Sequence, residues 1–211
     1  MANNIPKASP VTSESPPVGG HNDYRNRLLD GMANSLAERG YAETTVADIV
    51  REAGVSKRTF YEHFATKQDC LLALYQAASQ AALMVLRSAV DTEKNWASQV
   101  EHALGTYLAC LASQPRLLRT LFIEILHLGQ PGLAVRRAMY QELADFIVQV
   151  VPDSRTEADR QAMPMAMLAM AIVGGINELA LEAIENDRAD RLADLTPAAS
   201  WLVRSVLSAP A

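Results

Sequence analysis

The stretch TTVADIVREAGVSKRTFYEHFATKQ, residues 44–68, decides how this chain folds. Val46, Ile49, Val50 and Ala53 recur at three- and four-residue intervals, which is the spacing of one helix face, and Thr45 stands where a side-chain oxygen caps a first turn. Gly54 then supplies the left-handed conformation that ends a helix. Val55 turns back inward and Ser56 caps a second helix. Phe60 and Phe64 lie on the inner face, four residues apart, while Lys57, Arg58, Thr59, Tyr61 and His63 spread over the remaining surface. Thr66 caps a third helix that opens with Lys67. The spacing predicts a helix-turn-helix, in which the first helix crosses a DNA backbone and the second sets its N-terminal residues against base edges.

The expected DNA-contacting set is Thr45, Ser56, Lys57, Arg58, Thr59, Tyr61, His63 and Lys67. Lys57, Arg58 and Thr59 fall where base edges would be read. Tyr61 and His63 fall farther along, at the height of phosphate oxygens, and a lysine beside a capped helix N-terminus makes a phosphate site of Lys67. Any three-helix domain can carry polar surface positions. Here the turn, both caps, two aromatic core positions and a basic outer face coincide within 25 residues.

This segment resembles the N-terminal DNA-binding domain of the TetR family of transcriptional regulators. The resemblance rests on the paired Thr44 and Thr45, the Ala53-Gly54-Val55 turn, Tyr61 followed by Phe64, and Lys67, and it extends over Arg25 to Tyr75, about a quarter of the chain. Val50 stands where such motifs favour a small alanine, and Glu62 puts a negative charge inside the reading helix. The resemblance implies an all-helical C-terminal half, a homodimer on a palindromic operator with its reading helices about 34–36 Å apart, and a small-molecule effector in the C-terminal bundle. Repression is the family's default.

Composition agrees with an all-α fold: 49% of the 211 residues are apolar and only 6% aromatic, with abundant Ala and Leu. The formal net charge of −5 argues against nucleic acid until it is divided by region. Residues 21–68 hold seven cations and seven anions, whereas residues 69–211 carry the whole excess of acid. Within residues 56–67, Lys57, Arg58 and Lys67 face only Glu62. Binding should therefore be local, specific and salt-sensitive.

The expected domains are a disordered tail over residues 1–21, a helix-turn-helix domain over 22–70, and a ligand-binding and dimerisation bundle over 71–211. The tail has four prolines and almost no apolar periodicity before residue 21. It lacks the basic start and apolar core of a signal peptide, so a cytoplasmic location is expected. Two uncharged stretches, 70–86 and 161–177, read as too short and too interrupted for membrane spans. Cys70 and Cys110 have no CxxC or nearby His spacing, and read as free thiols.

Helices are expected at about 24–39, 67–90, 92–113, 116–128, 133–151, 156–185 with a break near Pro164, and 197–207 with Thr196 as its N-cap. In the helix from Thr156, Met163, Met167, Met170, Gly174 and Leu181 form one stripe, and Ala166, Ala169, Val173, Ile176 and Ala180 form another. Two apolar stripes need two partners. With the final helix they predict a four-helix dimer interface that includes Ile176, Ala180, Trp201, Leu202 and Ser205. Trp96, Tyr107, Phe122, Leu126, His127, Met139, Phe146, Met163, Met167 and Asn177 are the expected lining of a pocket for a hydrophobic or amphipathic ligand, although each also suits a core position.

No cofactor and no enzymatic activity is expected. Glu124 and His127 have the Glu-x-x-His spacing of di-iron bundles, but such a site needs two pairs and two further glutamates, and the chain has one pair. The alternatives are a helical-bundle metal-binding protein, or a protein-binding adaptor without sequence-specific DNA binding.

Overall fold

The computed structural model describes residues 21–91, 93–151, 157, 161 and 163–207. Among them the chain is all helical: α1 (His21–Glu43), α2 (Val46–Ala53), α3 (Lys57–His63), α4 (Lys67–Ser88), α5 (Trp96–Ala112), α6 (Pro115–His127), α7 (Gln130–Val150), α8 (Met165–Glu185), a 3-10 segment (Ala189–Leu195) and α9 (Thr196–Leu207). The expected tail lies outside the described residues except for His21, which already belongs to α1.

The N-terminal helices pack around Phe60, Leu28, Met32 and Ile49, none of which reaches solvent. Gly31 sits where α1 meets α2. A Cβ there would stand 2.6 Å from the Ile49 carbonyl oxygen, so only glycine permits the approach. Val50 is buried at the same junction.

Helix α4 runs unbroken through the expected boundary at 70/71. Its Leu71, Leu74, Leu83 and Leu86 tie the N-terminal core to Leu121, Met139 and Phe146 in one apolar cluster. A second cluster joins α5, α8, the 3-10 segment and α9 through Leu108, Ile172, Ile184, Leu192 and Val203. By length and composition α4 and α8 are each long enough to cross a membrane, contrary to the reading of those stretches as too short. Both instead place apolar side chains in these clusters, as core helices do.

Several helix starts differ from expectation. Helix α5 begins at Trp96, not Thr92, because the Asn95 side chain accepts the Ser98 amide at 3.0 Å. Helix α7 begins three residues before Leu133, because Gly129 at φ 64° turns the chain and Pro131 fits the first turn. Thr196 is not an N-cap: its backbone is helical, and its hydroxyl donates to the Ala193 carbonyl at 2.7 Å. Gly40, at φ 75°, breaks α1 where an end was expected, but helical residues resume to Glu43. The expected start at Thr156 lies outside the described residues, and α8 begins just after Pro164.

Candidate nucleic-acid interface and helical cavity

The reading head is held by caps at both short helices. The Asp48 amide donates to Thr45 Oγ1 at 3.2 Å, and the Thr45 amide donates back to Asp48 Oδ2 at 3.0 Å. The Thr45 hydroxyl also donates to Oδ2, while Arg51 and Arg39 bond Oδ1 at 3.0 and 3.1 Å. The Thr45 hydroxyl and amide, assisted by the two arginines, hold the Asp48 carboxyl down to about 2. The corner itself is clasped by Arg27 of α1, whose guanidinium donates to the Ala53 and Gly54 carbonyls at 3.1 and 2.9 Å. Arg27 and Arg39 escaped the sequence reading. Arg27 and its acceptors are 26 and 27 residues apart, too far for any helical spacing to reveal.

Ser56 Oγ accepts the Thr59 amide at 3.0 Å and starts α3. Phe60 is fully buried, Phe64 nearly so, and this anchoring turns the opposite face outward. Lys57 and Arg58 are exposed on that face, and Tyr61 is 58% exposed with its ring edge-on to Phe60. Arg58 Nε donates to Glu62 Oε1 at 3.0 Å, so the acidic residue of the reading helix is paired with its own neighbour. Such an exposed pair is weak and screened by salt. His63 is half-buried, its ring 6.4 Å from that of Phe64.

Three members of the expected set are used differently, among them Ser56, whose hydroxyl caps α3. The Thr45 hydroxyl is occupied inside the capping box. The Lys67 ammonium donates to the Tyr41 and Thr44 carbonyls at 2.8 and 2.7 Å and lies 4.2 Å from the Tyr41 ring centroid. Two of its three protons therefore fasten the end of α1 and the following turn to the start of α4. Its role is first that of a clamp.

In the C-terminal bundle two chambers share Tyr107, Leu143 and Asn177 as a common wall. The smaller chamber, of about 90 Å³, is walled by Trp96, Phe146, Ile172 and Ile176 among others. The larger one, of about 210 Å³, adds Tyr75, Ser79, Cys110, Phe122, Met139 and Tyr140. Of the expected lining, Trp96, Tyr107, Phe122, Met139, Phe146 and Asn177 face a chamber. Leu126, His127, Met163 and Met167 do not. Leu126 packs against the core near the head, and His127 is exposed with Nδ1 3.5 Å from Glu124 Oε2. Met163 and Met167 are 44% and 61% exposed, whereas Met170 of the same stripe packs partly buried against the core.

The expected dimer set divides as well. Ile176 and Ala180 are buried within the chain, in the cluster that joins α8 to its own α5 and α9. Leu202 is half-buried against Gly175. Trp201, 64% exposed, and Ser205 point outward with Met167, while a Cβ on Gly174 would meet open space. Burial pushes the Cys70 thiol up to about 12, and both cysteines are free. Among the described residues no group of three or more His, Cys, Asp or Glu side chains converges to hold a metal.

The fold and the capped, outward-turned α3 define an all-helical helix-turn-helix protein of the DNA-binding class. Residues 28–74 match the family of bacterial regulatory proteins, tetR family. The match covers the N-terminal domain, which is thereby of the TetR type. The whole fold is similar to that of the fatty acid degradation regulator FadR from Bacillus halodurans, at 19% identity and TM-score 0.67, over 90% of this chain and 96% of that one. It is similar to FadR from Bacillus subtilis in complex with stearoyl-CoA, at 18% identity and TM-score 0.64, over 88% and 99%. It also resembles the multidrug binding protein EbrR complexed with imidazole, at 19% identity and TM-score 0.65, over 89% and 96%.

Proposed function

We propose that this protein is a cytoplasmic transcriptional repressor that binds a palindromic operator as a homodimer and is released by a small hydrophobic or amphipathic ligand. The observation that carries the reading is α3: Phe60 and Phe64 are clamped inside while Lys57, Arg58 and Tyr61 stand clear on one face. Lys57 and Arg58 would meet base edges, and Tyr61 with His63 would meet phosphates. The outward faces of α8 and α9, with Met167, Gly174, Trp201 and Ser205, support a two-fold interface with a second copy. Ligands of the similar folds, stearoyl-CoA and imidazole, support an effector in the bundle, and the chambers beside Tyr107 are where it would sit.

The test is selection from a random duplex library at near-physiological salt, with sedimentation of the selected complex. A palindrome bound by two copies is the expected result. Retention without any common sequence would overturn the reading in favour of a protein-binding adaptor.

A further inference from the structure

The smaller chamber presents polar groups of one kind, neutral and pre-oriented. Asn177 Nδ2 donates to the Val173 carbonyl at 2.9 Å, and Gln99 Nε2 donates to the Asp91 carbonyl at 2.7 Å. Each amide is anchored by its nitrogen, and among the described residues no donor reaches either amide oxygen. Tyr107 borders both chambers, and burial raises its phenol above the ordinary range, so it remains a protonated donor. The described residues lining both chambers carry no charged side chain. Two cations that touch lining residues are held by them: Arg87 stacks 5.4 Å from the Phe146 ring centroid, and Arg136 donates to the Tyr140 hydroxyl at 2.6 Å.

A ligand head that both donates and accepts satisfies this wall, since it can give a proton to the Asn177 oxygen and take one from the Tyr107 hydroxyl. A charged head would lose its water without a counter-charge. We infer that the bundle selects an uncharged amphiphile, with a hydroxyl-type head at the Tyr107–Asn177 wall and an apolar body lying toward Trp96 and Phe146. This deepens the proposed function and rests on its placing the effector in the bundle.

The chain has two tryptophans, Trp96 and Trp201; Trp201→Phe leaves Trp96 as the reporter and keeps an aromatic ring at the proposed two-fold interface, and its dimerisation and operator affinity are matched to the parent's before use. In that background 1-decanol, decanoate and decyltrimethylammonium are titrated against Trp96 emission, with operator release followed in parallel. Saturable binding of decanol at least tenfold tighter than either ion is expected. Asn177→Ala and Tyr107→Phe should each weaken decanol about fivefold and leave the ions little changed; Tyr107→Phe removes only an oxygen, so the fold survives it.

Decanoate or decyltrimethylammonium binding as well as decanol, or decanol binding untouched by both substitutions, would overturn the inference. Silence of Trp96 toward all three probes in protein that still binds its operator would overturn it while the DNA reading stands. Selective decanol binding in protein that selects no operator would support the chamber chemistry and sink the regulatory role.

Discussion

Replacing Gly31 by Ala sets two effects of known size against each other. In a helix interior the exchange should stabilise by about 1 kcal/mol, because glycine loses more backbone freedom on folding. At Gly31 the added Cβ would lie 2.6 Å from the Ile49 oxygen, 2.9 Å from the Ala53 nitrogen and 3.0 Å from the Ala53 Cβ. Two of these atoms are backbone and cannot swing aside, so α1 and α2 must separate, at an overpacking cost of about 1–3 kcal/mol. Steric cost should win, by up to about 2 kcal/mol, which lowers the melting temperature by roughly 2–8 °C for a chain of this size. Gly105 in the middle of α5 is the control. Its added Cβ would meet Thr196 at 3.5 Å, an ordinary contact, so Gly105→Ala should raise the melting temperature by a few degrees. Thermal unfolding followed by circular dichroism reads both, and operator affinity should fall only for Gly31→Ala. Equal stabilisation by the two substitutions would refute the close crossing of α1 and α2.

Lys67→Met keeps the apolar stem but leaves the Tyr41 and Thr44 carbonyls without the ammonium, and should cost about 1–3 kcal/mol in denaturant unfolding. Unchanged stability with weakened binding to all DNA would make Lys67 a phosphate contact after all. Asp48 is held down to about 2, so its contribution is complete above its unfolded value of 3.8 and disappears as pH falls through 2. Acid unfolding of Asp48→Asn should consequently be shallower over that window than that of the parent, and identical acid limbs would contradict the capping box. Lys57→Ala or Arg58→Ala should cost about 1–3 kcal/mol on the selected operator and change the preferred bases, as measured by repeat selection; equal losses on random DNA would argue against base reading. Trp201→Glu should convert a dimer to a monomer in sedimentation at micromolar concentration without lowering the melting temperature of the isolated chain, because the ring is already exposed. Unaltered dimerisation would remove α9 from the interface.

The head was legible in the sequence because its signals are local. Thr45 and Asp48, or Ser56 and Thr59, are three residues apart, and a cap or a helical face is written in spacings of that size. Phe60 and Phe64 declared the inner face in the same way. Lys67 was legible as a cation beside a helix start but not as a clamp, since its acceptors lie 26 and 23 residues earlier.

Periodicity alone also revealed two apolar stripes on α8, because it depends only on side-chain order along one helix. It had no means of saying which stripe the chain would bury. Tertiary packing decided that: Val173 went into the cluster with α4 and α7, Ile176 and Ala180 into the one with α5 and α9, and Met163 and Met167 were left facing out. The same packing joined Tyr107 of α5, Leu143 of α7 and Asn177 of α8 into one wall. A helix repeats every 3.6 residues, whereas a cavity is made by side chains from helices dozens of residues apart. Caps, turns and amphipathic faces were thus determined by the sequence alone, and the identity of the chamber walls and of the outward face only by how the helices came together.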